Sequence, residues 1–146
     1  MSRQMNRGFT LIELAVVLVV IGIVVGIAVP SFRNYRRSQE LRSAAQNIAG
    51  QIRLAKANAM VSGKVQRFHL YDNFSGYDYH VHEGSGGIKA GWSLPSGVGY
   101  SWGGALVGVD LTPDGRASNS LDIILVRDDG VRDTVSVQMS GQVLVH

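Results

Sequence analysis

The chain contains no cysteine, which excludes a disulfide, a thiolate nucleophile and a thiolate metal site. Charge is scarce as well. Only 17% of the 146 residues are Asp, Glu, Lys or Arg, against 45% apolar, a balance that suits neither a disordered chain nor a nucleic-acid-binding tail. There is no internal repeat, no nucleophile elbow around a serine, and no strand-loop-helix context that would make the glycine-rich passage Gly84 to Gly91 a phosphate loop. The length fits one ordinary domain with an N-terminal appendage. Catalysis is not expected, and no catalytic residue or cofactor is assigned.

What is present is unevenly placed. Leu14 to Val29 runs without a polar side chain. Counted from Phe9 to Val29, a helix of this stretch spans roughly 31 Å at 1.5 Å per residue, the thickness of a bilayer core. Beyond it, eight basic residues and one acid lie between Arg33 and Arg67, and four basic and nine acidic between Phe68 and His146. A stem at +7 therefore carries a head at −5.

Three readings compete for the apolar segment. A cleaved secretory signal is supported by small residues at Gly26 and Ala28, but the run exceeds the usual 7 to 15 residues and Glu13 sits near its start. A plain anchor leaves Gly8 and Glu13 unexplained. A processed anchor takes in both. A carboxylate within hydrocarbon costs on the order of 2.5 to 3.5 kcal/mol at mid-membrane, so Glu13 is a functional candidate, although the first turns of a helix tolerate negative charge through the macrodipole. Gly22 and Gly26 form a small-xxx-small step suited to close helix approach, or arise by chance in an apolar helix. Arg33, Arg36 and Arg37 follow the anchor while Arg3 and Arg7 precede it, so the positive-inside rule alone does not orient it.

From Ser31 onward the periodicity stays helical, with Leu41, Ala45, Ile48, Ile52, Ala55 and Ala59 in one narrow stripe. One long helix from about Phe9 to Met60 is predicted, with a kink at Pro30 and a stop at Ser62-Gly63. The texture then turns to β: Val65 to Tyr71 and Tyr77 to His82 form a hairpin about Asn73 to Gly76. Val98 to Trp102, Leu106 to Leu111, Leu121 to Val126, Thr134 to Met139 and Gln142 to Val145 follow. The expected fold is α+β, a long N-terminal helix, transmembrane then amphipathic, packed on a small antiparallel head of six or seven strands. Expected segments are a leader over 1–8, a membrane and assembly helix over 9–30, an amphipathic stem over 31–62 and a head over 63–146.

Other chemistry-bearing residues have plain explanations. His80 and His82 share a strand face, with Glu83 adjacent, but a half-exposed strand explains the alternation and no third ligand with zinc-like spacing is evident. Asp128, Asp129 and Asp133 about Gly130 read as a solvated turn without the twelve-residue calcium-loop pattern. No metal is expected. Trp92 and Trp102 read as core or surface aromatics of the head.

The segment Arg7-Gly8-Phe9-Thr10-Leu11-Ile12-Glu13-Leu14, followed by the apolar run, resembles the precursor signature of type IV pilins and the pseudopilins of type II secretion. The resemblance implies cleavage by prepilin peptidase between Gly8 and Phe9, N-methylation of Phe9, and pairing of the Glu13 carboxylate with the Phe9 amine of a neighbouring subunit. Such a pair would offset two charges that are each costly in lipid. Pro30 also matches a recurrent proline of the pilin helix. Ile48 to Met60 with the strand from Val65, and more weakly Leu111 to Ala117 and Val135 to Val143, are similar to the GspH/FimT group. That likeness implies a minor pseudopilin in a periplasmic pseudopilus, or alternatively a minor type IV pilin in pilus assembly or DNA uptake. The implied partners are other pilin or pseudopilin subunits, prepilin peptidase and an inner-membrane assembly platform. The implied location is the inner membrane, leader cytoplasmic and head periplasmic. Nucleic acid is not an expected partner, because Gln142 follows Gly141 where DNA-binding members carry arginine, and phosphate neutralisation dominates such affinity.

Overall fold

The computed structural model describes residues 11–74, 76–102 and 106–146, and leaves aside the side chains of 29–31, 33, 34 and 72–74. Helix α1 covers Leu11–Ser62. Its residues belong to two compact units, Met1–Ser38 and Gln39–His146.

In the first unit the helical backbone runs on through Pro30. The window Leu11–Ala28 has a mean hydropathy of 3.0 with none of it buried. This helix is long and apolar enough to cross a membrane, and its large apolar side chains from Leu11 to Ile27 stand open.

In the second unit, α1 contributes the expected stripe. Leu41, Ala45, Ile48, Ile52, Ala55 and Ala59 are all buried, and Ala44 and Ala49 widen the contact. Alanine serves here by being small, letting the helix axis approach the strands while Ile48 and Ile52 fill the remaining space. The helix ends where glycine relieves the backbone: Gly63 has φ 67°, and its N–H donates to the Ala59 carbonyl at 3.0 Å, a left-handed C-terminal cap.

Among the described residues eight strands follow: β1 Gln66–Phe74, β2 Tyr77–Glu83, β3 Ile88–Trp92, β4 Val98–Tyr100, β5 Val107–Leu111, β6 Leu121–Arg127, β7 Arg132–Val137 and β8 Val143–Val145. They form two antiparallel sheets of four, ordered β3-β2-β1-β5 and β4-β6-β7-β8. The expectation of six or seven strands omitted β3, most of which lies inside the glycine-rich passage. Phe68, Leu70, Tyr79, Val81, Val109 and Leu111 of the first sheet, and Ile123, Leu125, Val135, Val137 and Val143 of the second, join the helix stripe in one core.

Polar ties link the sheets and the loops between their strands. The Tyr100 hydroxyl donates to the Asp78 carbonyl at 2.9 Å, and the Leu94 N–H donates to Asp78 Oδ2 at 2.6 Å. The Ala117 N–H donates to the Met139 carbonyl at 3.1 Å, and that of Ser118 to the Asp110 carbonyl at 2.8 Å. The closing hairpin is also held to the helix, because Arg53 Nη2 donates to the Val143 carbonyl at 2.8 Å and Lys56 Nζ to the Gly141 carbonyl at 3.0 Å.

Candidate functional site

Two regions carry the chemistry, one in each unit. In the first, Glu13 is the acidic residue of the helix's opening turn. It shares a shallow groove with Ile12, Val16 and Val17, so its carboxylate belongs to an otherwise apolar surface. Gly8 and Phe9 lie outside the described residues. The kink at Pro30 concerns a side chain that also lies outside them, and the backbone there is helical.

In the second unit, the outer face of the first sheet gathers histidines. Alternation along β1 and β2 sends Phe68, Leu70, Tyr79 and Val81 into the core and the intervening side chains to the other face. His69 and His80 are direct cross-strand partners, and His82 lies opposite Arg67. The ring centroids of His69 and His80 are 5.4 Å apart, those of His69 and His82 5.1 Å, and those of His80 and His82 4.7 Å. Tyr71 stacks on His80 at 5.2 Å and 9°, which helps to explain why His80 is only 1% exposed. Gly108 of β5 faces His69, and a Cβ there would lie 2.7 Å from His69 Cδ2; the missing side chain makes room for the ring.

Burial and the nearby His82 and His69 rings push the His80 imidazole down to about 4. Burial, then His82, lowers His69 as well. Both rings are thus held neutral at physiological pH.

The sequence reading paired His80 with His82 and found no third ligand. His69 is that third residue, and a signal for it existed. A turn centred on Asn73 to Gly76 sets 69 opposite 80, and the observed register from Gln66↔Glu83 to Leu70↔Tyr79 follows this symmetry.

The acidic turn has other occupations. Asp129 engages Arg127, Asp133 Oδ1 accepts from the Thr134 N–H at 3.0 Å, and Asp128 lies against Gly97. Trp92 stacks on Tyr79 at 5.5 Å and Trp102 on Tyr100 at 4.5 Å; both pack against the core. A further groove beside β8 is lined by Arg42, Arg53, Arg132 and Asp133 together with His146. The stem's arginines therefore reach the closing hairpin, which the local sequence around Gly141 does not reveal.

Comparison with known proteins bears on the first unit and on the head separately. Residues 3–29 match the family model for the prokaryotic N-terminal methylation motif. The type IV major fimbrial protein FimA of Dichelobacter nodosus is 41% identical over 63 residues, covering 42% of this chain and 39% of that protein. The type II secretion system protein H of Pseudomonas aeruginosa is 42% identical over 59 residues, covering 40% of this chain and 34% of that protein. The crystal structure of the type IV minor pilin FimU of P. aeruginosa superposes with a TM-score of 0.59 over 77% of this chain and 92% of that one, at 16% identity. The chain is thus similar to type IV pilins and to a type II secretion protein over part of its length, and similar in fold to a minor pilin.

The matched stretches span roughly a third to two fifths of the curated relatives' length. The FimU likeness shows the fold, a long helix with an antiparallel head. The methylation motif over residues 3–29 overlaps the helix window Leu11–Ala28, which is long and apolar enough to cross a membrane.

Proposed function

We propose that this protein is a minor pseudopilin of a type II secretion system, entering a periplasmic pseudopilus that promotes export across the outer membrane. The single observation that carries the reading is the union of a methylation-motif segment over residues 3–29 with a pilin-like fold, and the relative named as type II secretion system protein H supports the choice of system. In this reading residues 1–8 are a cytoplasmic leader removed by prepilin peptidase between Gly8 and Phe9, and Phe9 becomes the methylated N-terminus. Residues 9–30 cross the inner membrane, 31–62 form the stem, and 63–146 form the periplasmic head. An inner-membrane platform receives the processed subunit. Glu13 sets register by pairing with the Phe9 amine of a neighbour, since a carboxylate and an ammonium that are each costly in lipid offset one another on stacking.

A second reading, a minor type IV pilin, is supported by the fimbrial relatives and by the pilus protein whose fold the head shares. An in-frame deletion in the source bacterium separates them. Loss of secreted proteins with pili intact supports the first reading, and loss of pili or of DNA uptake with secretion intact replaces it with the second. Within either system, Glu13→Ala should be processed normally and fail to enter filaments, measured by immunoblot of sheared filaments. Incorporation at wild-type level would remove the register role.

A further inference from the structure

The three histidines on the outer face of the first sheet form a set whose proximity the assembly reading does not use. One ring nitrogen of each of His69, His80 and His82 lies within 4.8 Å of the other two. Ligands around a tetrahedral zinc at 2.0 to 2.1 Å stand roughly 3.4 Å apart, so the rings need close by little more than an ångström, within reach of χ1 and χ2 rotations on fixed strands. They come from two hydrogen-bonded strands in register, which makes the Cα positions firm.

Two further details favour an ion over simple ring stacking. His82 Nδ1 lies 3.0 Å from the Gly86 carbonyl oxygen. A carbonyl only accepts, so this contact puts the proton on Nδ1 and leaves the Nε2 lone pair available. That is the outer-shell arrangement by which proteins orient metal-binding imidazoles. His69 Nδ1 is buried without a hydrogen-bond partner, a costly state for a polar atom that a bound cation would relieve. Arg67, the nearby cation, is engaged by Asp110 at 3.5 Å, and this carboxylate also favours positive charge beside His69.

We propose that His69, His80 and His82 bind one divalent transition-metal ion of the zinc class, clamping the β1–β2 hairpin. Three imidazoles suit zinc, copper or nickel rather than calcium or magnesium, which prefer oxygen. The fourth coordination position would be taken by water or by a donor group from a neighbouring subunit. In a chain without cysteine, such an ion serves the stapling role that a disulfide serves elsewhere.

The test uses the full chain in detergent, stripped with chelator and titrated with Zn²⁺ by calorimetry. The expected result is one ion per chain, with His69→Gln, His80→Gln and His82→Gln each weakening binding by about 100-fold or more, on the scale at which even outer-shell losses reach 10- to 100-fold. His146→Gln should leave binding unchanged. Because His80 is buried and its variant is at risk of misfolding, the partly exposed His82 carries the decision, with circular dichroism confirming its fold. Absence of one-to-one uptake by the wild type, unchanged affinity in His82→Gln, or equal weakening in His146→Gln would each overturn the site.

Discussion

Gly141 offers a sharp test of how the head closes. Its φ is 74°, a conformation that costs an L residue about 1 to 2 kcal/mol. Its surroundings add a second penalty. A Cβ at this position would lie 2.1 Å from the Gly115 carbonyl oxygen and 3.0 Å from Lys56 Nζ, so Gly141→Ala must push two turns apart and disturb the bond from Lys56 to the Gly141 carbonyl. Overpacking of this kind costs about 1 to 3 kcal/mol, for a total of about 2 to 5 kcal/mol. Gly130 is the matched control: its φ is 84°, yet nothing lies within 4 Å of a Cβ built there, and Gly130→Ala should cost only the backbone portion. In a domain of this size each kcal/mol lowers the midpoint by roughly 4 to 8 °C. Thermal unfolding of the full chain in detergent, followed by near-ultraviolet circular dichroism, should therefore place Gly141→Ala at least about 4 °C below Gly130→Ala. Coincident midpoints for the two variants would show that the turns do not meet as described, and the argument for their contact would fail.

Two other consequences can be measured on the same material. Ile48→Ala removes a fully buried side chain and should destabilise the head by about 2 to 5 kcal/mol in denaturant titration, whereas Leu54→Ala, at 53% exposure, should cost far less; equal losses would mean that the helix presents another face. Hydrogen bonds and attraction from Lys64 and Lys89 hold the Glu83 carboxyl down to about 2. Its contribution is therefore complete above the ordinary carboxylate value of 4.5 and is lost as pH falls toward 2. The midpoint advantage of wild type over Glu83→Gln should be constant above pH about 5 and shrink progressively as pH falls through about 2, and a difference undiminished at pH about 2 would contradict the pairing.

Much of the architecture was legible because it rests on local periodicity. The stripe from Leu41 to Ala59 is buried in the structure, and the seven strands read from alternation and turn residues correspond to seven of the eight observed. The omitted strand, β3, is short and holds Gly91, where a Cβ would strike the Tyr77 ring; glycine there serves cross-strand packing, yet in sequence it signals a loop. The division into two sheets was also hidden. It depends on β5 returning to pair with β1 while β4 pairs with β6, a long-range choice that no window of neighbouring residues expresses. The histidine cluster was half visible: spacing gave His80 and His82, and only strand register adds His69.

The three-residue lengths of β4 and β8 have a consequence for packing in a fibre. They are the outer strands of their sheet, and such stubs give little ladder for a foreign chain to extend. At this sheet's two edges, contact with another chain would rest on side-chain fit, whereas the first sheet ends in the five-residue strands β3 and β5.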